Sequence, residues 1–267
     1  MSASNPSVGV IGGSGFYELF ETGEEIEVDT PYGRPSDRIT VGTIESIPVA
    51  FLPRHGKKHS YPPHSIPYRA NLYALHKIGV RRIIGPTAAG SLNPKVKPGD
   101  FVLVDQFVNF TNGRKDTFFD GPETVHVSTA EPYCPELRSI IQDCANRQGL
   151  TMHPSGTVVV VQGPRFSTRA ESRFFSKQGW DVINMTQYPE NTLGRELQMC
   201  YTNVSLITDY DVGLEGVDSV KPVTNEMVVE IFKKNNLRLK ALLAQVIPLI
   251  PVKRSCDCGT ALAGARF

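Results

Sequence analysis

Seven short apolar runs, most of them rich in valine and isoleucine, limit the folds open to this chain. They lie at residues 8–11, 49–53, 81–85, 101–105, 157–163, 181–185 and 203–209. Runs without strict alternation indicate strands that are covered on both faces. The segments between them at 66–79, 135–149, 169–179, 189–199 and 224–246 carry the apolar spacing or the capping residues of helices. The sequence therefore predicts an α/β fold in which helices flank a central, mixed β-sheet.

The composition fits one large domain with a well-buried core. The chain has 267 residues, 40% of them hydrophobic, and its formal net charge of +1 favours neither nucleic acid nor a membrane surface as a partner. No apolar stretch approaches the roughly 20 residues of a membrane span. The first residues lack the basic and apolar regions of a signal peptide. We predict a cytoplasmic protein with one domain at 8–250 and a tail at 251–267.

Oxyanion-binding residue types follow the first two predicted strands, in the place where such sheets bind ligands. The glycine-rich turn around Ser14 is either a structural turn or an anion loop, since it matches neither a P-loop nor a dinucleotide motif. Arg54 and His55 follow the second strand and suit a phosphate dianion. A metal site at His55, His59 and His64 is the alternative, which the neighbouring Arg54 disfavours. We predict no metal here.

Three later strands also end in residues that suit a small ligand. The small residues after the third strand permit close approach of a ligand to the backbone, or form a tight turn. The aromatic ring after the fifth strand stacks on a planar base or packs in the core. The methionine at the end of the sixth offers an apolar surface or simply fills space. The residues concerned are Thr87, Ala88, Phe166, Ser167, Met185 and Thr186.

The last predicted strand ends in two aspartates, Asp209 and Asp211, separated by one tyrosine. Residues two apart on an extended chain point to the same side, so the two carboxylates are expected to face together. A metal ion, a proton to transfer, a purine edge and a solvated strand end are four explanations that this spacing leaves open. Since the other strand ends suit an anion, the two aspartates are their acidic counterpart.

Colinear motifs run from about residue 8 to 213, among them "GVIGGSGF", "DTPYG", "RHG", "PTAAGSL", "AEPYCP", "QGPRFSTRAES", "DVINMT" and "TDYD". In these motifs the chain resembles the methylthioadenosine phosphorylase family, the trimeric branch of the purine nucleoside phosphorylases. The resemblance implies a pentosyltransferase of purine and methionine salvage. Such an enzyme cleaves 5′-deoxy-5′-methylthioadenosine with phosphate to adenine and 5-methylthioribose-1-phosphate. It also implies that phosphate is a co-substrate, that no cofactor is needed, and that the enzyme is a homotrimer or a dimer of trimers.

The resemblance assigns roles to the residues at the strand ends. It implies a phosphate site of Ser14, Arg54, His55, Thr87, Ala88 and Thr186. The nucleoside would be bound by Phe166, Met185, Asp209 and Asp211. Specificity would come from Ser167, Asn225 and Val228, and from His126 of a neighbouring subunit. His55 and Asp209 would take part in catalysis.

Two features bear on the choice of substrate. A carboxylate accepts a hydrogen bond from a 6-amino group and repels a 6-oxo group, so Asp209 and Asp211 favour adenine over a 6-oxopurine. Burial next to Asp211 would also raise the pKa of Asp209 and let it protonate N7 of the purine. Asn225, where the animal enzymes have valine, either tolerates a 5′-hydroxyl or faces solvent. A broader purine nucleoside phosphorylase acting on adenosine or inosine is therefore the alternative, and a non-catalytic nucleotide sensor is a third possibility.

The five cysteines are scattered along the chain, and their odd number predicts no disulfide framework. Only Cys256 and Cys258 stand close together in the sequence. This Cys-x-Cys tail resembles that of thermophilic archaeal family members, in which it forms a disulfide. Two free thiols in a reducing compartment are the alternative, which we favour.

Overall fold

The strands of the chain form two mixed sheets. The computed structural model describes residues 6–13, 16–20, 22–214 and 224–266. The strands in these ranges are β1 (Val8–Gly12), β2 (Glu24–Ile26), β3 (Ile39–Ile44), β4 (Ile47–Pro53), β5 (Arg82–Ile84), β6 (Thr87–Ser91), β7 (Phe101–Leu103), β8 (Gln106–Phe110), β9 (Met152–His153), β10 (Thr157–Val161), β11 (Val182–Asn184), β12 (Cys200–Thr202) and β13 (Val204–Tyr210). The helices are α1 (Tyr68–Lys77), α2 (Pro135–Arg147), α3 (Arg169–Lys177), α4 (Gln187–Glu196) and α5 (Asn225–Val246).

One sheet has six strands in the order β12-β5-β1-β4-β3-β2, and the other has seven in the order β8-β10-β11-β6-β13-β7-β9. The first four strands of the six-stranded sheet are parallel, whereas β3 pairs antiparallel with both of its neighbours, β4 and β2. In the second sheet, β6 pairs parallel with β13 and antiparallel with β11. The predicted mixed α/β class is confirmed, with the strands divided between two sheets.

The apolar runs are covered on both faces, as their composition predicts. Val10 and Ile11 are neighbours in β1, and both are fully buried, but they belong to different core clusters. Leu206 and Ile207 in β13 are divided in the same way. Because successive side chains of a strand point to opposite faces, each strand contributes to a cluster on either side of its sheet.

Six of the described strands lack the continuous apolar runs from which the others were predicted. β6 is the clearest case, since its sequence "TAAGS" consists mostly of small residues and predicts a tight turn or a segment that a ligand approaches closely, rather than a strand. It is a strand because its neighbours β11 and β13 pair with it on both sides. Tertiary pairing thus overrides the local preference of these residues.

The helices begin and end close to the predicted limits. At the start of α3, Thr168 Oγ1 accepts a hydrogen bond from the Glu171 amide, and the Glu171 carboxylate accepts one from the Thr168 amide. This reciprocal cap fixes the helix start directly after the loop at 162–167. Within the described residues, no helix is both long and apolar enough to cross a bilayer.

Candidate active site

A cavity of about 350 Å³ lies where strands of the two sheets end. The six-stranded sheet supplies the residues after β1 and β4. The seven-stranded sheet supplies β6 and the ends of β10, β11 and β13. Ten of the predicted site residues line this cavity: Arg54, His55, Thr87, Ala88, Phe166, Ser167, Met185, Thr186, Asp209 and Asp211.

Four predicted site residues are not brought to this cavity by the described structure. Ser14 lies outside the described residues. Asn225 and Val228 belong to α5, but their side chains are likewise outside the described part. His126 is exposed and does not line the cavity of its own chain, and its amide donates to the Ala265 carbonyl at 2.9 Å.

Arg54 is fully buried and is held in a fixed orientation by three hydrogen bonds. Its Nε and Nη2 donate to the two carboxylate oxygens of Glu190 at 2.5 and 3.0 Å, and Nη1 donates to the Pro86 carbonyl at 3.0 Å. Burial alone would lower the pKa of Arg54, but the carboxylate of Glu190 outweighs it and raises the pKa above its ordinary value. A Cβ at Gly13 would come 2.9 Å from Nη1, so glycine leaves room for this guanidinium. The arginine thus offers its remaining N–H donors while its charge is already paired.

His55 is a neutral imidazole in this setting. Its Nδ1 lies 2.8 Å from the Tyr61 carbonyl, which can only accept, so Nδ1 carries the proton and Nε2 is an acceptor. Burial, with smaller contributions from Arg54 and His59, lowers the pKa of His55 to about 3. The ring stacks on His59 at a centroid distance of 4.5 Å. His55 can therefore bind an anion only through hydrogen bonding and not through a positive charge.

A buried polar network orients Thr87 beside Arg54. The Thr87 Oγ1 accepts hydrogen bonds from Asn203 Nδ2 at 3.1 Å and Asn184 Nδ2 at 3.3 Å. The amide of Thr186 lies 3.4 Å from Asn184 Oδ1, which links the second threonine to the same network. Ser205 Oγ lies 3.3 Å from Thr87 Oγ1 and donates its own hydrogen to Asn203 Oδ1, so the Thr87 hydroxyl can direct its hydrogen either at Ser205 or at a ligand. These contacts give one end of the cavity an oxyanion-binding character.

A β-bulge near the end of β13 gives the opposite end its acidic character. The pairing with β6 shifts between Ile207 and Asp209, so Thr208 is an extra residue opposite the Ala89–Gly90 step. Thr208 therefore lines the cavity together with Asp209, although neighbours in a regular strand face opposite sides. The Thr208 hydroxyl donates to Asp209 Oδ1 at 2.7 Å.

Both aspartates are buried, and burial raises the pKa of each. Burial raises the pKa of Asp209 to about 6; the Thr208 hydrogen bond opposes this and the charge of Asp211 adds to it. Burial also raises the pKa of Asp211, against hydrogen bonds from Ser172, the Val212 amide and Ser167. Asp211 Oδ2 has no hydrogen-bond partner within the part of the chain that the structure describes. The pair thus combines a carboxyl group with a pKa of about 6 and a buried acceptor.

The two ends of the cavity lie along one strand. Thr87 opens β6, and Gly90 lies three residues further on, a distance of about 10 Å at the usual rise of an extended chain. A Cβ at Gly90 would come 3.0 Å from Asp209 Oδ2, so glycine leaves space for the carboxyl group. Between the ends lie Met185, half-buried, and Phe166, which is 36% exposed. The cavity therefore has a polar anion end, a more apolar middle and an acidic end.

Sequence reasoning missed the buried residues that hold these groups in place. Glu190 is fully buried on α4, and its Oε2 also accepts a hydrogen bond from the Tyr201 hydroxyl at 2.9 Å. Asn203 and Ser205 extend the network around Thr87. A glutamate inside a helix gives no local signal of such a role, because its partner Arg54 lies 136 residues away. Asn203 is different, since a polar residue directly before an apolar run suggests an interior partner.

The sequence matches those of known proteins over nearly the full length of the chain. A profile of the Phosphorylase superfamily matches residues 7–248. The S-methyl-5′-thioadenosine phosphorylase of Pyrococcus horikoshii is 52% identical over 257 residues, which cover 96% of this chain and 98% of that one. The 6-oxopurine nucleoside phosphorylase of Pyrococcus furiosus is 47% identical over 268 residues, covering 97% and 99%.

A solved structure gives the same result at the level of the fold. Methylthioadenosine phosphorylase from Schistosoma mansoni in complex with adenine matches with a TM-score of 0.91 at 33% identity. The match covers 98% of this chain and 99% of that one. Since sequence and fold agree over almost the whole length, the chain belongs to the phosphorylase superfamily.

Proposed function

We propose that the chain is an S-methyl-5′-thioadenosine phosphorylase, which transfers a pentosyl group from the nucleoside to phosphate. The products are adenine and 5-methylthioribose-1-phosphate. The observation that carries the proposal is a single cavity with an oxyanion-binding end and, about 10 Å along β6, two buried carboxyl groups. The relatives and the solved structure with methylthioadenosine phosphorylase names support the same activity.

The anion end would bind and orient the phosphate dianion. Arg54 and the hydroxyls of Thr87 and Thr186 would supply donors to its oxygens, and Ser14, which lies outside the described residues, would add another. Because the charge of Arg54 is already paired with Glu190, orientation rather than net charge would hold the anion. The Nε2 of neutral His55 would accept a hydrogen bond from the one protonated oxygen of the dianion. The unprotonated oxygens then remain free to attack C1′.

The acidic end would activate the purine as a leaving group. As the bond between C1′ and N9 breaks, its electron pair moves into the purine, and the Asp209 carboxyl transfers its proton to N7. The nearby phosphate stabilises the positive charge that develops on the ribosyl carbon, and its oxygen forms the new bond to C1′. The Asp209 carboxylate regains a proton from solvent. Its pKa of about 6 suits this exchange near neutral pH.

Selection of a 6-amino purine would rest on Asp211 and Asp209. The unpartnered Oδ2 of Asp211 is an acceptor, so it can bind an amino hydrogen and would repel a 6-oxo group. We expect kcat/KM to fall from methylthioadenosine through adenosine to inosine, with inosine about 100-fold below methylthioadenosine or lower. In Asp209→Asn, activity on the two aminopurine nucleosides should fall far more than activity on inosine.

The alternative is a broader purine nucleoside phosphorylase. It is favoured by Asn225, a polar residue in the segment that the family resemblance assigns to the 5′ pocket, and by the 47% identical 6-oxopurine relative. Equal kcat/KM for inosine and methylthioadenosine would support this alternative. Equal loss of all three activities in Asp209→Asn would remove the base-reading role of that residue.

We further propose a homotrimer or a dimer of trimers without a catalytic cofactor. Exposed aromatic side chains, Phe166 at the cavity and Phe174 on α3 with 36% and 49% exposure, support burial against a second copy. His126 would then contribute to the neighbour's 5′ pocket. Sedimentation velocity that detects monomers alone at assay concentration would contradict this arrangement.

The five free thiols support a reducing compartment such as the cytoplasm.

A further inference from the structure

Four cysteines that are scattered in the sequence meet in one cluster on the six-stranded sheet side of the molecule. Cys134 precedes α2, Cys200 opens β12, and Cys256 and Cys258 come from the tail. Their sulfur atoms all lie within 4.8 Å of one another. Cys256 Sγ is 3.6 Å from Cys134 Sγ and 3.5 Å from Cys200 Sγ. Three of the four are buried, and Cys256 is half-buried.

We propose that these four sulfurs bind one zinc ion in a structural site. Zinc–sulfur bonds of about 2.3 Å in tetrahedral geometry place the sulfurs about 3.8 Å apart, close to the two distances above. Movements of under about 1 Å would bring the remaining pairs, all within 4.8 Å, to that separation. Thiolates select soft ions such as zinc over magnesium or calcium. Four protein ligands leave no open position for a substrate, so the role is structural. The sequence spacing predicts no metal, because the cluster forms only in the fold.

Two of the ligands are positioned by backbone hydrogen bonds that do not involve sulfur. The amide of Cys134 donates to the Tyr201 carbonyl at 2.8 Å, which ties it to the residue after Cys200. The amide of Cys200 donates to the Arg81 carbonyl at 2.9 Å. Cys134 and Cys200 therefore form a rigid half of the site. Preorganised ligands of this kind reduce the ordering cost of binding.

The tail is held in place by the two residues directly before Cys256. Directly before Cys256, the Ser255 amide and hydroxyl donate to Glu136 Oε1 at 2.9 and 2.6 Å. The guanidinium of Arg254 donates to the Gln198 carbonyl at 2.7 Å. A Cβ at Gly259, the residue after Cys258, would come 2.5 Å from Arg254 Nη2. Four thiolates carry more negative charge than one divalent ion neutralises, and the guanidinium of Arg254 lies next to the residue that follows Cys258.

A shared ion accounts for the arrangement better than two disulfides. Cys256 Sγ is almost equally close to two sulfurs, whereas a disulfide pairs each sulfur with one partner. The ion would fasten the tail to α2 and β12. Beyond the cluster, the Ala265 carbonyl accepts from the His126 amide, so the fastened tail also supports that segment.

Metal analysis of the untagged protein, purified with a reductant from zinc-supplemented cells, tests the proposal. We expect about one zinc per chain in the wild type and less than about a tenth of that in the double variant Cys256→Ser/Cys258→Ser. Cys144→Ser is the matched control, since Cys144 is also a buried free thiol but lies outside the cluster, and it should retain zinc. Cobalt added to the metal-free wild type should give the visible spectrum of a tetrahedral thiolate site, which needs no substitution.

Three results would overturn the proposal. The first is a metal-free wild type in which only the Cys144 thiol reacts after denaturation, because the other four are then paired as disulfides. The second is a fully reduced wild type that takes up neither zinc nor cobalt. The third is a double variant that retains the zinc of the wild type, which would move the ion to another site.

Discussion

In the proposed mechanism, the carboxyl group of Asp209 would serve catalysis at the expense of stability. Its position at the cavity wall removes it from water, and this burial is the largest cause of its raised pKa. The same burial disfavours the ionised form at neutral pH. The residue proposed as the proton donor therefore weakens the folded state at neutral pH, a common cost of active sites.

Replacing Asp209 by asparagine should stabilise the protein above pH 6. A folded-state pKa of about 6 against an ordinary 3.8 means that the folded state binds the proton more tightly, so the free energy of unfolding falls as pH rises between these values. The difference of about two units corresponds to about 3 kcal/mol. The amide of the asparagine side chain cannot ionise and escapes this loss. Denaturant unfolding at equal protein concentration should show the variant more stable at pH 7.5, and the gain should shrink towards pH 4. A gain that is the same at both pH values would contradict the argument.

The ion pair of Arg54 with Glu190 should be costly to break, because both side chains are fully buried. Glu190→Gln leaves the guanidinium without its counter-charge, and we expect a loss of about 3–5 kcal/mol in the free energy of unfolding. Glu171→Gln is the matched control: it breaks the solvent-exposed pair with Arg165, while glutamine preserves the helix cap. Its loss should be a small fraction of the first. Similar losses in the two variants would show that burial does not set the energy of the Arg54 pair.

The helices and strands that could be predicted are those whose own residues show an apolar run, a helical periodicity or a cap. All seven apolar runs form strands, and the five helical segments form helices, because periodicity and caps act within a few residues. β6 and β12 were missed since pairing with distant strands, rather than their own composition, makes them extended. β6 is the costliest omission, because this strand connects the two ends of the cavity.

Gly90 tests the role of β6 in shaping the base end. A Cβ there would meet Asp209 Oδ2 at 3.0 Å and Ile183 Cγ2 at 3.1 Å, so Gly90→Ala must displace the carboxyl group. We expect kcat/KM for methylthioadenosine to fall by about 10- to 100-fold, as small misplacements of reacting groups usually do. The KM for phosphate should change little.

The matched control is Gly194→Ala in α4. A Cβ at Gly194 meets its nearest atom at 3.5 Å, which is an ordinary contact, and the residue does not line the cavity. This variant should keep the activity of the wild type. If Gly90→Ala also kept it, β6 would not position Asp209.

At the scale of the whole molecule, the site is formed by both sheets. The position of ten site residues at strand ends follows from the general tendency of such sheets to bind ligands there. Their supporting partners do not follow, since Arg54 meets Glu190, and Cys134 meets Cys256, across more than a hundred residues. Local sequence patterns therefore predict the residues that line the cavity more readily than the residues that hold those side chains in position.

In the proposed reaction, one cavity brings phosphate and an aminopurine nucleoside together for direct transfer. The most direct test of this transfer is the dependence of adenine release on phosphate, measured with methylthioadenosine as substrate. We predict that the release of each adenine consumes one phosphate and yields one 5-methylthioribose-1-phosphate. We also predict that adenine release falls to background when phosphate is removed. Adenine release at an undiminished rate in phosphate-free buffer would mean that water accepts the pentosyl group, and it would contradict direct transfer to phosphate.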